Sequence, residues 1–295
     1  MRPVGGAVVV AALLARFGAG PLERGLRTTD VRLLVLALAL TAVATLCCAW
    51  RWCRVSAALG LELPLTEAFA ACYRSQFLNA TLPGGVLGDV DRALVRGHVV
   101  GRTGRVAGTV AWERGLGLVV QAAVTLGVVV LVPTPLSVPV LVVFVVAAAL
   151  LGVVSVVGWL LGRGGPVRSA VVDVRRLVGR PAPAVVAASL GVTACHAAVL
   201  AVAVQQTAGG LAADRLVPLV LVVQLGSTVP TSLAGWGPRE GVAAAAFAAM
   251  GLDPADGFAA SVAYGVVALV ATAPGAVVLA LGTRSARPAE GAVDG

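Results

Sequence analysis

The sequence predicts an all-α, polytopic membrane protein, and three observations lead to that prediction. Of the 295 residues, 59% are hydrophobic and 12% are charged, whereas a soluble domain has about 45–50% and about 25%. The mean hydropathy is +0.96. The apolar residues form continuous runs, which lack the alternation of membrane β-barrel strands. A single core cannot hide so much apolar surface, so a soluble enzyme, a disordered chain and a secreted disulfide scaffold are excluded.

The charge pattern favours a bilayer over nucleic acid as the partner. The formal net charge is +8, and all 22 basic residues are arginines. These arginines are spread over loops between apolar runs, where basic residues orient a protein in the membrane. The five cysteines form no pairs with metal-ligand spacing, so we expect small packing residues and neither a metal nor a cofactor.

Five apolar segments are long enough to cross a membrane. A hydrocarbon core about 30 Å thick requires about 20 apolar residues in a helix. The N-terminal segment 3–17 is shorter and marginal as a span. With it, the sequence predicts about six transmembrane helices. The five long segments are 31–52, 106–132, 138–161, 184–206 and 257–281.

Two further apolar segments are short and interrupted. The segment 66–82 precedes the turn Pro83-Gly84-Gly85 and a polar helix from Asp89 to about Arg96. Because proline and glycine end helices, this pattern predicts a re-entrant, broken-helix hairpin over 66–97.

A second interrupted segment has the same character. Residues 215–229 are followed by Pro230 and by a glycine-rich stretch that ends at Pro238. A short alanine-rich helix then extends to about Met250. The pattern predicts a second re-entrant hairpin over 215–251.

Clusters of arginine set the predicted orientation, because cytoplasmic loops are rich in basic residues. They place the C-terminus in the cytoplasm and the two hairpins on opposite sides, although Arg24 and Arg27 then fall on the external side. The chain is thus predicted as one transmembrane domain, 1–295, without a soluble catalytic domain. It forms an inverted repeat of 31–132 and 184–281, joined by a linking helix, 138–161. The clusters are Arg51 and Arg54; Arg96, Arg102 and Arg105; Arg163, Arg168, Arg175, Arg176 and Arg180; and Arg284 and Arg287.

The broken helices predict an anion site near the bilayer midplane. Irregular backbone at membrane depth must be buried in protein or line a wet cavity. Glycines there let backbone N–H groups point at a ligand, and a helix N-terminus carries partial positive charge. Helix starts at Gly88-Asp89 and at Gly237-Pro238 fit this arrangement. A phosphate head group is the anion that we expect.

Charged residues in these segments leave two interpretations open. Each is costly in a bilayer, so it must face a partner or a cavity. Opposite charges lie close in sequence, which allows mutual neutralisation in a packed bundle. Guanidinium groups also match phosphate oxygens, which favours binding roles for Arg74, Arg92 and Arg239. The charged residues are Arg74, Asp89, Asp91, Arg92, Glu113, Arg114, Arg239 and Glu240.

Three stretches carry a resemblance to a known family. They are FLNATLPGGVLGD (77–89), AWERGLGLVVQ (111–121) and VVQLGSTVPTSLAGWGPREG (222–241). Over about 30–281 the chain resembles the transmembrane region of lysylphosphatidylglycerol synthases, a flippase-like family of integral membrane proteins. The resemblance implies a protein of the cell (inner or plasma) membrane that moves lipids between leaflets.

The resemblance also implies partners and site residues. Membrane lipids with anionic head groups are the expected ligands, with a separate synthase or glycosyltransferase as a further partner. Aminoacyl transfer is not expected here, because a separate soluble domain performs it in the full synthases. Arg74, Gly85 and Gln224 are added from the chemistry of the residues themselves. The candidate substrate-binding residues are then Arg74, Asn79, Gly84, Gly85, Gly88, Asp89, Arg92, Glu113, Arg114, Gln224, Gly235, Gly237, Arg239 and Glu240.

The sequence therefore predicts a translocase, and not an enzyme, for an anionic phospholipid or a polyprenyl-phosphate-linked lipid. Arg92 and Arg239 would bind phosphate, while Asp89, Glu113 and Glu240 would balance charge. An ion-coupled transporter of a small anionic solute is the main alternative. An intramembrane enzyme with Asp89 or Glu113 as base, and a scaffold that recruits a synthase, are further alternatives.

Overall fold

The structure is a computed structural model that describes residues 12–135, 167–228 and 236–285. Eleven helices lie wholly within these ranges, and no strand occurs there, which confirms the predicted all-α class. The helices are α1 (Gly20–Thr28), α2 (Val31–Ala58), α3 (Leu65–Thr81), α4 (Leu87–Val100), α5 (Thr103–Leu131), α6 (Val167–Val178), α7 (Ala182–Ala208), α8 (Ala213–Gly226), α9 (Pro238–Ala249), α10 (Pro254–Ala271) and α11 (Pro274–Ser285).

Four stretches of the described chain are long and apolar enough to cross a membrane. They are α2, α5, α7 and the segment Pro254–Leu281, which comprises α10 and most of α11. They match four of the five predicted long segments, and the chain is a multi-pass membrane protein. The fifth, 138–161, lies outside the described residues. So does most of 3–17, of which residues 12–17 are helical.

Two boundaries differ from the sequence prediction. The segment 257–281 is not continuous, because Pro274 lacks an N–H group and the helix is interrupted at Thr272 and Ala273. The arginine-rich stretch between the predicted segments 138–161 and 184–206 contains α6, a helix that the sequence analysis does not predict. This helix is amphipathic, and its Leu177 packs with Val55 of α2.

The helices α3 and α4 form an antiparallel hairpin. Hydrogen bonds and ion pairs link Asn79 with Gly88, Cys72 with Arg92, and Glu67 with Arg96, so residue numbers rise along one helix as they fall along the other. The open end of this hairpin lies where α2 ends. There Arg105 of α5 donates to the Leu59 carbonyl at 3.0 Å.

The helices α2 and α7 are also antiparallel to each other. Arg51 Nη1 donates to Ser189 Oγ at 2.9 Å. Toward the other end of the pair, Leu33 and Val204 belong to the same hydrophobic cluster. Hence α7 begins at the end of the bundle where α2 ends.

The helices α8 and α9 form a second hairpin that opens toward the opposite end of the bundle from the first. Arg215 Nη2 donates to the Met250 carbonyl at 2.6 Å, while Gly226 faces Val242. Met250 shares its hydrophobic cluster with Leu33, near the start of α2. In each half of the described chain, a long helix packs on a hairpin, and the hairpin packs on a further long helix.

The first hairpin depends on a glycine at its closest approach. A Cβ added to Gly88 would lie 2.0 Å from the carbonyl oxygen of Ser75, which belongs to the backbone and cannot rotate away. The absence of a side chain at Gly88 therefore lets α4 lie directly against α3.

Replacing this glycine should separate the two helices. We expect Gly88→Ala to lower the free energy of unfolding by about 1–3 kcal/mol, the usual cost of overpacking. The measurement is thermal unfolding of the detergent-purified protein. Gly127→Ala is the matched control, since a Cβ there meets nothing within 4 Å. Equal melting temperatures of the two variants would contradict the packing described.

Candidate functional site

A cavity of about 850 Å³ lies between the two hairpins. The first hairpin contributes Ser75, Asn79 and Asp89 to its lining, and the second contributes Gln224. Further polar residues of the lining come from the other helices and from the end of α8, among them Thr41, Arg51, Arg114, Gln121, Ser189, Thr193, His196, Ser227, Thr228 and Tyr264. The cavity thus brings polar groups into an apolar bundle, although most of its lining surface is apolar.

Glu113 is the central buried charge beside this cavity, and its side chain is 0% exposed. Its Oε1 accepts hydrogen bonds from Nε of Arg51 at 2.9 Å and from Nη2 of the same guanidinium. Its Oε2 accepts from Nη2 of Arg92 at 2.6 Å. The three residues belong to α5, α2 and α4, so one carboxylate connects three helices.

Arg92 is held on several sides. Its Nη2 lies 3.0 Å from Asp89 Oδ1, which is the i, i+3 pair that the sequence suggested. Its guanidinium lies 4.8 Å from the ring centroid of Trp52, a cation–π contact. Trp52 in turn donates from Nε1 to Thr109 Oγ1 at 2.9 Å. With 3% of its side chain exposed, Arg92 borders the cavity but is largely engaged by protein groups.

Asp89 gathers polar groups at the start of α4. Its Oδ1 accepts from Ser75 Oγ at 3.1 Å, and its Oδ2 accepts from Asn79 Nδ2 at 3.2 Å. Asn79 Oδ1 also accepts from the Gly88 N–H at 2.8 Å. Asn79 therefore supplies a cap from α3 for the first turn of α4, and it orients Asp89 toward Arg114.

Five of these residues form a continuous charge network: Arg51, Asp89, Arg92, Glu113 and Arg114. Arg114 completes it through Nη2, 2.8 Å from Asp89 Oδ2. Three guanidinium groups against two carboxylates give the network one surplus positive charge. Arg114 lines the cavity with 49% of its side chain exposed. The surplus positive charge is therefore accessible from the cavity.

Other candidates of the first hairpin lie around this network. Gly84 and Gly85 have φ values of +96° and +64°, which only glycine adopts readily, and they form the turn at the hairpin tip. Gly85 lines the cavity. Arg74 pairs with Asp91 at 2.6 Å on the hairpin itself, and neither residue lines the cavity.

The second hairpin has its own buried ion pair. Arg239 Nη2 lies 2.6 Å from Glu240 Oε1, and Ser261 Oγ also donates to this oxygen at 3.0 Å. Glu240 Oε2 accepts from the Gly237 N–H at 2.6 Å, which caps α9. Gly237 has a φ of +117°. Gly235 lies outside the described residues.

This second pair contacts the cavity only indirectly. Neither Arg239 nor Glu240 is among the lining residues. The Arg239 guanidinium lies 5.1 Å from the ring centroid of Tyr264, and Tyr264 Oη is 3.2 Å from His196 Nδ1. Tyr264 and His196 do line the cavity, so Arg239 fixes the second hairpin behind its wall. The sequence predicts that Arg92 and Arg239 both bind phosphate. In the structure, Arg92 lines the cavity and Arg239 does not.

Arg51 and Gln121 are among the site residues that the sequence does not predict. The sequence places Arg51 in a cytoplasmic cluster, but α2 continues to Ala58 and Arg51 is buried within it. Its partner Glu113 is 62 residues away, so no local spacing links them. Gln121 of α5 also lines the cavity, and only the tertiary structure shows which face of the helix it occupies.

The arrangement is suited to anion binding. Guanidinium groups, amides and hydroxyls meet at one cavity, and a phosphate can accept from all of them. In the described ranges, no three histidine, cysteine, aspartate or glutamate side chains gather as metal ligands would.

Comparison with known proteins identifies one family. The family model described as the lysylphosphatidylglycerol synthase TM region matches residues 3–275. This range includes both hairpins and every member of the charge network. A search of curated proteins gives no match.

Removing the central carboxylate should strongly destabilise the bundle. We expect Glu113→Gln to cost about 3–5 kcal/mol, because Arg51 and Arg92 would remain buried without their counter-charge. Thermal unfolding in detergent is the measurement. Glu67→Gln is the control, since Glu67 is 52% exposed and its pair with Arg96 contributes about 0–1 kcal/mol. Similar destabilisation by both substitutions would contradict the central role of Glu113.

Proposed function

The chain belongs to the lysylphosphatidylglycerol synthase TM region family, and on that premise we propose that it is a lipid translocase. It moves an anionic phospholipid or a polyprenyl-phosphate-linked lipid between the leaflets of the cell membrane. The observation that carries the proposal is the cavity between two oppositely opening hairpins, which combines an accessible guanidinium with an apolar edge.

Arg114 is the phosphate-binding residue in this proposal. Its guanidinium is half exposed and contacts Asp89 through Nη2, so further N–H donors are available for phosphate oxygens. Asp89 keeps Ser75, Asn79 and Arg92 as partners when Arg114 turns toward a ligand. Phosphate can therefore bind without leaving a buried carboxylate unpaired.

The apolar edge of the cavity supports a lipid rather than a water-soluble ligand. Val86, at the start of the first hairpin's second helix, lines the cavity together with Val90 and Leu94. All three side chains are about half exposed. Their spacing of four residues places them on one face of α4. A lipid can hold its head group near Arg114 while its chains pass this edge into the bilayer.

The hairpins are re-entrant in the proposed membrane arrangement, and the two halves of the chain form an inverted repeat. At 1.5 Å per residue, the 17 residues of α3 extend about 26 Å and the 14 of α4 about 21 Å. Both lengths fall short of a hydrocarbon core about 30 Å thick. Opposed re-entrant hairpins that meet at a central site are typical of alternating-access transporters. The C-terminus is cytoplasmic in this arrangement.

Loss of the accessible guanidinium should slow lipid movement without unfolding the protein. We expect Arg114→Gln to reduce the translocation rate about 10- to 100-fold, since a hydrogen bond to a charged group contributes about 1.5–3 kcal/mol. The measurement is leaflet exchange of a fluorescent phosphatidylglycerol in proteoliposomes, read by quenching from outside.

Arg27→Gln provides the matched control. Arg27 is exposed, and its ion-pair partner among the described residues is Glu23 on the same helix α1, so its loss should leave the rate unchanged. An unchanged rate in Arg114→Gln would refute the proposed site. Transport of a small soluble phosphate ester, with no lipid exchange, would instead support the small-anion transporter.

The re-entrant arrangement predicts which residues share a side of the membrane. In a chain whose five native cysteines are replaced, Glu62→Cys and Arg102→Cys flank the first hairpin, and Asp214→Cys and Ala249→Cys flank the second. An impermeant maleimide should label the first two positions from one side and the last two from the other. Labelling of all four positions from the same side would contradict the inverted arrangement of the two hairpins.

A further inference from the structure

The cavity presents one accessible positive charge, which one negative charge on a ligand would neutralise. Arg51 and Arg92 have 5% and 3% of their side chains exposed, and both are bound by Glu113. Arg114 alone in the charge network offers a substantially exposed guanidinium. A phosphodiester, which carries one negative charge, matches this surplus better than a doubly charged phosphate monoester.

Two glutamines that line the same cavity as Arg114 present unused hydrogen-bonding groups. Gln224 is 8% exposed, and its Oε1 has no hydrogen-bond partner. Gln121 Nε2 is likewise a buried donor without a partner. Both residues line the cavity. A buried donor and a buried acceptor that lack partners are costly, so they point to a ligand group or water that satisfies both.

The helices place these glutamines along the same cavity wall as Arg114. Gln121 follows Arg114 by seven residues, which is two turns or about 10 Å along one face of α5. Near Gln121, Ala122 packs with Leu225 of α8, the neighbour of Gln224. A head group that extends from a phosphate at Arg114 along α5 therefore reaches an unpaired donor and an unpaired acceptor.

A hydroxyl group fits this pair because it both donates and accepts. An ammonium group donates but cannot accept, so it would leave Gln121 Nε2 without a partner. Asp89, the carboxylate among the described lining residues, is already bound by Ser75, Asn79 and Arg114. A cationic head group would meet the positive charge of Arg114 and no free carboxylate.

We propose, on the premise of the proposed function, that the cavity selects a singly charged phosphodiester head group that carries free hydroxyls. Glycerol and sugar head groups belong to this class. Head groups that end in an ammonium and carry no hydroxyl are disfavoured. Arg114 binds the phosphate, while Gln121 and Gln224 bind the hydroxyls and determine the specificity.

Native mass spectrometry of the purified protein tests the selection with lipids of identical acyl chains. The probes are phosphatidylglycerol, phosphatidylmethanol and phosphatidylethanolamine. Phosphatidylmethanol keeps the charged phosphodiester and lacks the hydroxyls. We expect phosphatidylglycerol to bind on the order of tenfold more tightly than either of the others, since the hydroxyls make two additional hydrogen bonds.

The double variant Gln121→Leu with Gln224→Leu separates specificity from general binding. Its affinity for phosphatidylglycerol should fall to that for phosphatidylmethanol, while the affinity for phosphatidylmethanol stays within about twofold, which also shows that the fold is intact. Gln206→Leu is the control, because Gln206 is exposed and outside the cavity lining. It should preserve the full preference.

The outcomes distinguish failure of this inference from failure of the proposed function. Equal binding of phosphatidylglycerol and phosphatidylmethanol overturns hydroxyl selection, yet a weakening of both by Arg114→Gln would still support the lipid site. If Arg114→Gln weakens neither, the proposed site itself is wrong. Competition by soluble glycerophosphoglycerol as effective as that by the lipid would support hydroxyl selection and overturn the lipid as ligand.

Discussion

The need to neutralise charge inside an apolar bundle is the constraint on which the site depends. Glu113 is fully buried, and it is stable there only because Arg51 and Arg92 both donate to it. Those arginines come from helices on either side, so neutralising one carboxylate also fixes how α2, α4 and α5 pack. The geometry of the cavity wall thus follows from an electrostatic requirement as much as from apolar packing.

Close backbone approach makes this network possible. Gly88 lets α4 lie against the Ser75 carbonyl, and that contact brings Asp89 within reach of Ser75 and Asn79. Gly117 has a similar role on α5, because a Cβ there would lie 2.6 Å from Arg51 Nη1. Small residues in a membrane helix often permit helix packing, and here they make room for a buried guanidinium.

The two buried ion-pair clusters serve different purposes. Most of the first cluster borders the cavity, and its surplus positive charge is exposed there through Arg114. In the second cluster, Arg239 and Glu240 satisfy each other and cap α9. That cluster holds the returning helix of the second hairpin in place, and Tyr264 connects it to the cavity wall.

The sequence alone determined the all-α membrane class, four of the long helices, the positions of both broken segments and the local pair of Asp89 and Arg92. Each of these follows from hydropathy or from spacing within a single helix, where neighbours in space are neighbours in sequence. The tertiary structure decided which charges meet. Glu113 pairs with Arg51 across 62 residues, Arg114 pairs with Asp89, and Arg239 lies behind the cavity wall. Such contacts depend on the relative rotation and depth of separate helices, which the packing of the whole bundle sets and no local pattern encodes.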